Sequence, residues 1–165
     1  MPKHPVTDTR VQFSGRFDYK DFYEFLFNVV AANGYVITSE SHSQKDKGGF
    51  EKVEVEWVFE RLIDDYTKFV IKLHMIILHL RDVVVKKDGE EFKTKEGDVD
   101  LTMAGVVVTD RQGLWEKNKF LEVLRDFYER YLFKRTLESY QIEVYNDVFL
   151  FENEVKSFFT MPRFM

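Results

Sequence analysis

The chain has 165 residues, 44% of them hydrophobic and 32% charged, which suits one globular domain and excludes both disordered and fibrous compositions. With no cysteine, disulfides, thiolate catalysis, iron–sulfur clusters and cysteine-based zinc sites are ruled out. A formal charge of −5, from 24 basic and 29 acidic residues, lacks the basic excess of a phosphate-binding surface, so no nucleic-acid partner is expected.

Residues 1–10 carry Pro2 and Pro5 among polar neighbours and read as a mobile N-terminal arm ahead of a single domain at residues 11–165. No apolar leader follows Met1. The longest apolar stretch, Phe69 to Leu80, is interrupted by Lys72, His74 and His79 and falls short of the ~20 residues of a membrane span. The expected location is cytoplasmic. A helix is predicted from Tyr19 to Asn33, with Asp18 as N-cap and Asn33-Gly34 as its stop. Phe22, Phe25, Leu26, Val29 and Val30 recur at three- and four-residue spacing and give it one apolar face. Val11 to Arg16 is the candidate for a strand before that helix.

After Gly34 the period changes to two. Tyr35 to Thr38 opens a strand expected to dissolve into the polar run Ser39 to Gly49. Next, Val53, Val55, Trp57 and Phe59 alternate with Glu54, Glu56, Val58 and Glu60, while Phe69, Ile71, Leu73, Met75 and Ile77 alternate with Lys68, Val70, Lys72 and His74. If the loop is Ile63-Asp64-Asp65, Phe59 opposes Phe69, Trp57 opposes Ile71, Val55 opposes Leu73 and Val53 opposes Met75. The other face then pairs Glu60 with Lys68, Val58 with Val70, Glu56 with Lys72 and Glu54 with His74. One register satisfies both faces, and a one-residue slip would invert them.

A second hairpin turns at Asp88-Gly89. A two-residue turn pairs odd positions with even ones, so matching the apolar faces of Phe69 to Ile77 and Val99 to Val107 requires an inserted residue. Gly97 and the Arg81-Asp82 step are the candidate bulge. From Leu114 to Thr160 there is neither proline nor glycine. A helix is predicted from Leu114 to Lys134, with breaks near Lys134 to Thr136 and near Asn146 to Phe149, since one rod would be about 70 Å long.

This order gives an α+β fold: a long-stranded antiparallel sheet with an N-terminal helix and C-terminal helices packed on one face. The element order is similar to that of helix-grip folds, in which a curved sheet wraps a C-terminal helix around an apolar cavity. Ile76, Leu78 and Leu80, with Val106 and Val108, also make both sheet faces apolar over part of their length, so something must cover the second face.

Chemistry-bearing patterns are sparse. His74 facing Glu54 is either an acid–base pair or a rung of an exterior charge ladder, and the ladder is the simpler reading. His74 and His79 fall on opposite faces of a strand and cannot share a metal. His-x3-His and His-Glu-x-x-His spacings do not occur, so no metal and no cofactor are expected. The aromatic load, 17 Phe, 8 Tyr and 2 Trp, exceeds what one core calls for. It favours a non-catalytic binding or assembly module, a homodimer or the partner of another protein. The alternative is a carrier or sensor of an apolar, lipid-like small molecule between sheet and helix. Its pocket would be lined by Trp57, Phe59, Ile71, Leu73, Met103, Leu124 and Tyr128. A hydrolase is the third reading.

Overall fold

Five antiparallel strands make up the sheet in the computed structural model, which describes residues 1–160. They are β1 (Lys3–Phe17), β2 (Val36–Asp46), β3 (Glu51–Leu62), β4 (Thr67–Lys87) and β5 (Glu90–Thr109), arranged in the order β1-β5-β4-β3-β2. The strands from β2 to β5 each pair with the next, and β1 closes the far edge against β5. Helix α1 (Tyr19–Ala32) connects β1 to β2, and helices α2 (Lys119–Phe127) and α3 (Lys134–Thr160) follow the sheet. The fold is thus α+β, with an N-terminal helix and C-terminal helices.

One face of the sheet carries the core. Val53, Val55, Trp57 and Phe59 from β3, Phe69 to Ile77 at alternate positions of β4, and Val99, Leu101, Met103 and Val107 from β5 are all buried. Helix α3 covers them with Val144, Val148, Phe151, Val155 and Phe158, while α1 contributes Phe22, Leu26 and Val30. Phe151 meets Phe59 and Tyr35 edge-on, and Phe158 packs on Phe22 and Phe25. Gly105 on β5 makes this approach possible. A Cβ there would lie 2.7 Å from both Val144 Cγ1 and Val148 Cγ2, well inside van der Waals contact. Helix α1 begins as its sequence implies, with the Asp18 carboxylate accepting from the Asp21 amide at 3.2 Å.

Several expectations are corrected. Residues 3–10, read as an arm, belong to β1 and pair with β5 from Lys3↔Val108 onward; polar residues suit an edge strand, and Pro5 sits at a register shift. The polar run after Thr38 likewise stays in β2 to Asp46, because an edge strand needs no apolar alternation. Strands β3 and β4 pair two residues further along than expected: Phe59 opposes Ile71, Trp57 opposes Leu73 and Glu56 opposes His74. An even shift preserves both faces and changes only the partners. Asp64 sets the longer turn, since its Oδ1 accepts from the amides of Tyr66 at 2.9 Å and Thr67 at 2.7 Å.

The Asp88-Gly89 turn has positive φ at both residues, 52° and 80°, as a tight hairpin requires. The bulge forms, but neither candidate carries the inserted residue: it falls at His79-Leu80 of β4, opposite Gly97, and His79 takes φ 57°. A Cβ on Gly97 would lie 3.2 Å from the Leu78 carbonyl oxygen, so the close backbone approach leaves little room for a side chain there. The helix expected from Leu114 to Lys134 is divided into a 3-10 turn (Leu114–Glu116), α2, and a π-helical turn (Tyr128–Leu132). One break occurs at Phe133; α3 then runs unbroken through Asn146 to Phe149.

Candidate functional site

The seven residues proposed to line a pocket separate into two groups. Trp57, Phe59, Ile71, Leu73 and Met103 are at most 2% exposed and pack in the core. The space that the sequence reading assigned to a ligand is filled here by side chains of α1 and α3: Tyr23 meets Trp57 edge-on at 5.0 Å between centroids, and Phe151 meets Phe59 at 5.6 Å. Leu124 and Tyr128 stand elsewhere. With Tyr66, Trp115, Arg125, Phe127 and Leu132 they line an open apolar cleft of about 430 Å³.

This cleft forms where Tyr66 of the β3–β4 turn and Trp115 of the 3-10 turn meet α2 and the π turn. Phe120, Val123, Leu124, Phe127 and Tyr131 fall on one side of the helical segment at three- and four-residue spacing. No residue of the 3-10 turn, α2 or the π turn is buried. Phe120 is 70% exposed and Leu132 72%. The sequence signal for an amphipathic helix is therefore correct, while the apolar side meets no sheet.

Polar contacts at the foot of the cleft fasten this segment to the domain. Asp110, buried at the end of β5, binds Arg125 Nη1 at 3.2 Å, and the same guanidinium nitrogen reaches Glu116 at 3.2 Å. Tyr66 donates its hydroxyl to Glu129 at 2.6 Å, and His4 Nε2 lies 3.6 Å from the other Glu129 oxygen and 3.1 Å from the Thr109 hydroxyl. Burial raises the Tyr66 phenol and the Glu129 hydrogen bond raises it further. For Glu129, burial acts to raise the carboxyl, but hydrogen bonds from His4, Thr109 and Tyr66 outweigh it and leave the group below its ordinary value. A second tyrosine, Tyr23, is pushed up to about 12 by burial and by its hydrogen bond to Glu40.

The face of the sheet turned away from the helices is polar at its margins and apolar along its middle. Val70 and Val108 are buried there in a hollow lined by Lys3, Lys68 and Lys72, whose aliphatic stems supply apolar cover. Further along this face the Glu54–His74 pair expected from the sequence forms, with His74 Nε2 2.8 Å from Glu54 Oε1. The two-residue register shift adds Glu56, whose Oε1 is 3.6 Å from the same nitrogen. The hydrogen bond from His74 holds the Glu54 carboxyl below its ordinary value, assisted by the charges of Lys52 and Lys45. Sequence reasoning missed Glu56 because it matched that residue to Lys72. Only the turn length could have revealed it.

Among the described residues, no helix is long and apolar enough to cross a membrane. No family model and no curated protein match the chain.

Proposed function

We propose that the protein is a non-catalytic assembly module that associates with a second copy of itself through the exposed side of α2 and the π turn. The observation that carries this reading is a helical segment with regular apolar spacing and no buried residue. From their fractional exposures, Leu114, Trp115, Phe120, Val123, Phe127, Tyr131 and Leu132 together present on the order of 800 Å², the area one partner gives to a standard interface. The charges beside this stripe, Lys119, Glu122, Asp126 and Arg130, are two of each sign. A rim of that kind complements its own copy in a two-fold arrangement. It has no cationic excess to favour an anionic membrane surface.

The test is the mass of the full chain by sedimentation across a dilution series, alongside Phe127→Glu and Leu132→Glu. The expected result is a dimer for the parent protein and folded monomers for both variants, whose melting no longer depends on concentration. A parent protein that stays monomeric at its highest soluble concentration, or variants that remain dimeric, would overturn the proposal.

A second reading rests on the cleft itself. Its volume of about 430 Å³ is within the range of small-molecule pockets, roughly 300–1,000 Å³. An apolar ligand carried there would contact Leu124 and Tyr128, and it would appear in native mass spectra of the purified protein as a mass adduct that Leu124→Arg removes.

A further inference from the structure

The geometry points to a binding site for a divalent transition-metal ion on the outer face of the sheet, formed by Glu54 and Glu56 of β3 and His74 of β4. The three side chains come from adjacent central strands, and cross-strand neighbours share a face, so all three project to the same side. His74 Nε2 is 2.8 Å from Glu54 Oε1 and 3.6 Å from Glu56 Oε1, and one ligand atom from each residue lies within 4.8 Å of the others. Ligands bound at about 2.1 Å in a tetrahedron sit about 3.4 Å apart. The two observed distances bracket that value. Small side-chain adjustments would bring all three atoms onto one ion.

The donor set decides the class of ion. One imidazole with two carboxylates suits zinc, cobalt, manganese or nickel, whereas calcium and magnesium call for a cage of oxygens. With three protein ligands the remaining position faces solvent, since Glu54 and His74 are each more than a third exposed and Glu56 is 62% exposed. Lys52 and Lys45 act on Glu54 from the flank, so their field weakens cation binding without occupying a ligand atom. This site is remote in kind and in elements from the proposed α2 interface, and it stands without that reading.

The test uses the full, untagged chain titrated calorimetrically with Zn²⁺ and Co²⁺. Absorption of bound Co²⁺ reports coordination geometry. The expected result is one ion per chain, with affinity falling at least tenfold in His74→Ala and in Glu56→Gln, unchanged in His79→Ala, and rising in Lys52→Gln. Glu56→Gln keeps the variant set informative if His74→Ala folds poorly, because the Glu56 side chain is largely in solvent. No binding of either ion by the parent protein would overturn the inference. So would equal binding by the parent, His74→Ala and Glu56→Gln, or an equal loss in His79→Ala.

Discussion

Helices α2 and α3 follow each other in the chain, and both show apolar residues at three- and four-residue spacing, yet they end in opposite situations. α3 buries six residues, from Val144 to Phe158, against the sheet and α1. α2 buries none. What separates them is the surface each meets. α3 lies over Gly105, where the absence of a side chain lets Val144 and Val148 approach the strand. α2 is tied to the end of the sheet through Arg125 and Asp110, and the π turn after it through Glu129 and Tyr66, contacts that position the segment without covering its apolar side. Periodicity reports that a helix has an apolar side, while the complementary surface decides whether its own domain is the partner.

The contrast can be tested from both ends. On the α3 side the largest effect is expected for Trp57→Ala, which should lower unfolding free energy by about 3–5 kcal/mol in denaturant titrations, because the residue is 1% exposed and its removal leaves a cavity. Gly105→Ala should lower it by about 1–3 kcal/mol through overpacking against Val144 and Val148. On the α2 side, Arg125→Met strips the buried Asp110 carboxylate of its cation. Faster amide hydrogen exchange is expected over residues 119–132, with α3 unchanged; equal acceleration in both would show that the two helices open together.

A weaker handle is pH. The Glu129 carboxyl is lower in the folded protein than its ordinary 4.5, so its contribution to stability is present above about pH 4.5 and is lost as pH falls through the depressed folded value. Glu129→Gln should flatten the acid limb of stability measured against pH. An unchanged limb would show that the carboxylate does not hold the segment. The smallest effect on stability belongs to Phe120→Ser, within about 0.5 kcal/mol because the side chain is 70% exposed. That limit applies to the monomer, measured at high dilution; a large loss in melting there would mean that the side of α2 is covered within its own domain.

Much of the sheet was legible because alternation assigns faces, and the inward set from Val53 to Phe59 and from Phe69 to Ile77 is buried as the sequence implies. Partners were less legible. Faces are blind to even shifts, and the choice between two registers was made by Asp64 hydrogen bonds to the Tyr66 and Thr67 amides. The odd-to-even arithmetic of the β4–β5 hairpin did require a bulge, but the inserted residue is at His79-Leu80, across from Gly97, and not at either candidate. Edge strands were the weakest point, since β1 and β2 carry polar sequences that resemble loops. Of the candidate pocket, Leu124 and Tyr128 line a cleft, while the other five residues looked alike as pocket or core because both demand the same side chains.

The pairing of β1 with β5 has a bearing on biosynthesis. Lys3 comes far ahead of Val108 in the chain, yet the two are neighbours in the sheet, so β1 must remain without its partner while α1 and the strands after it emerge from the ribosome. Contacts so distant along the chain slow folding, and an unpaired edge in the interim is open to wrong associations. The lysine and arginine residues along that strand, Lys3, Arg10 and Arg16, provide charge repulsion between nascent copies until the partner strand arrives.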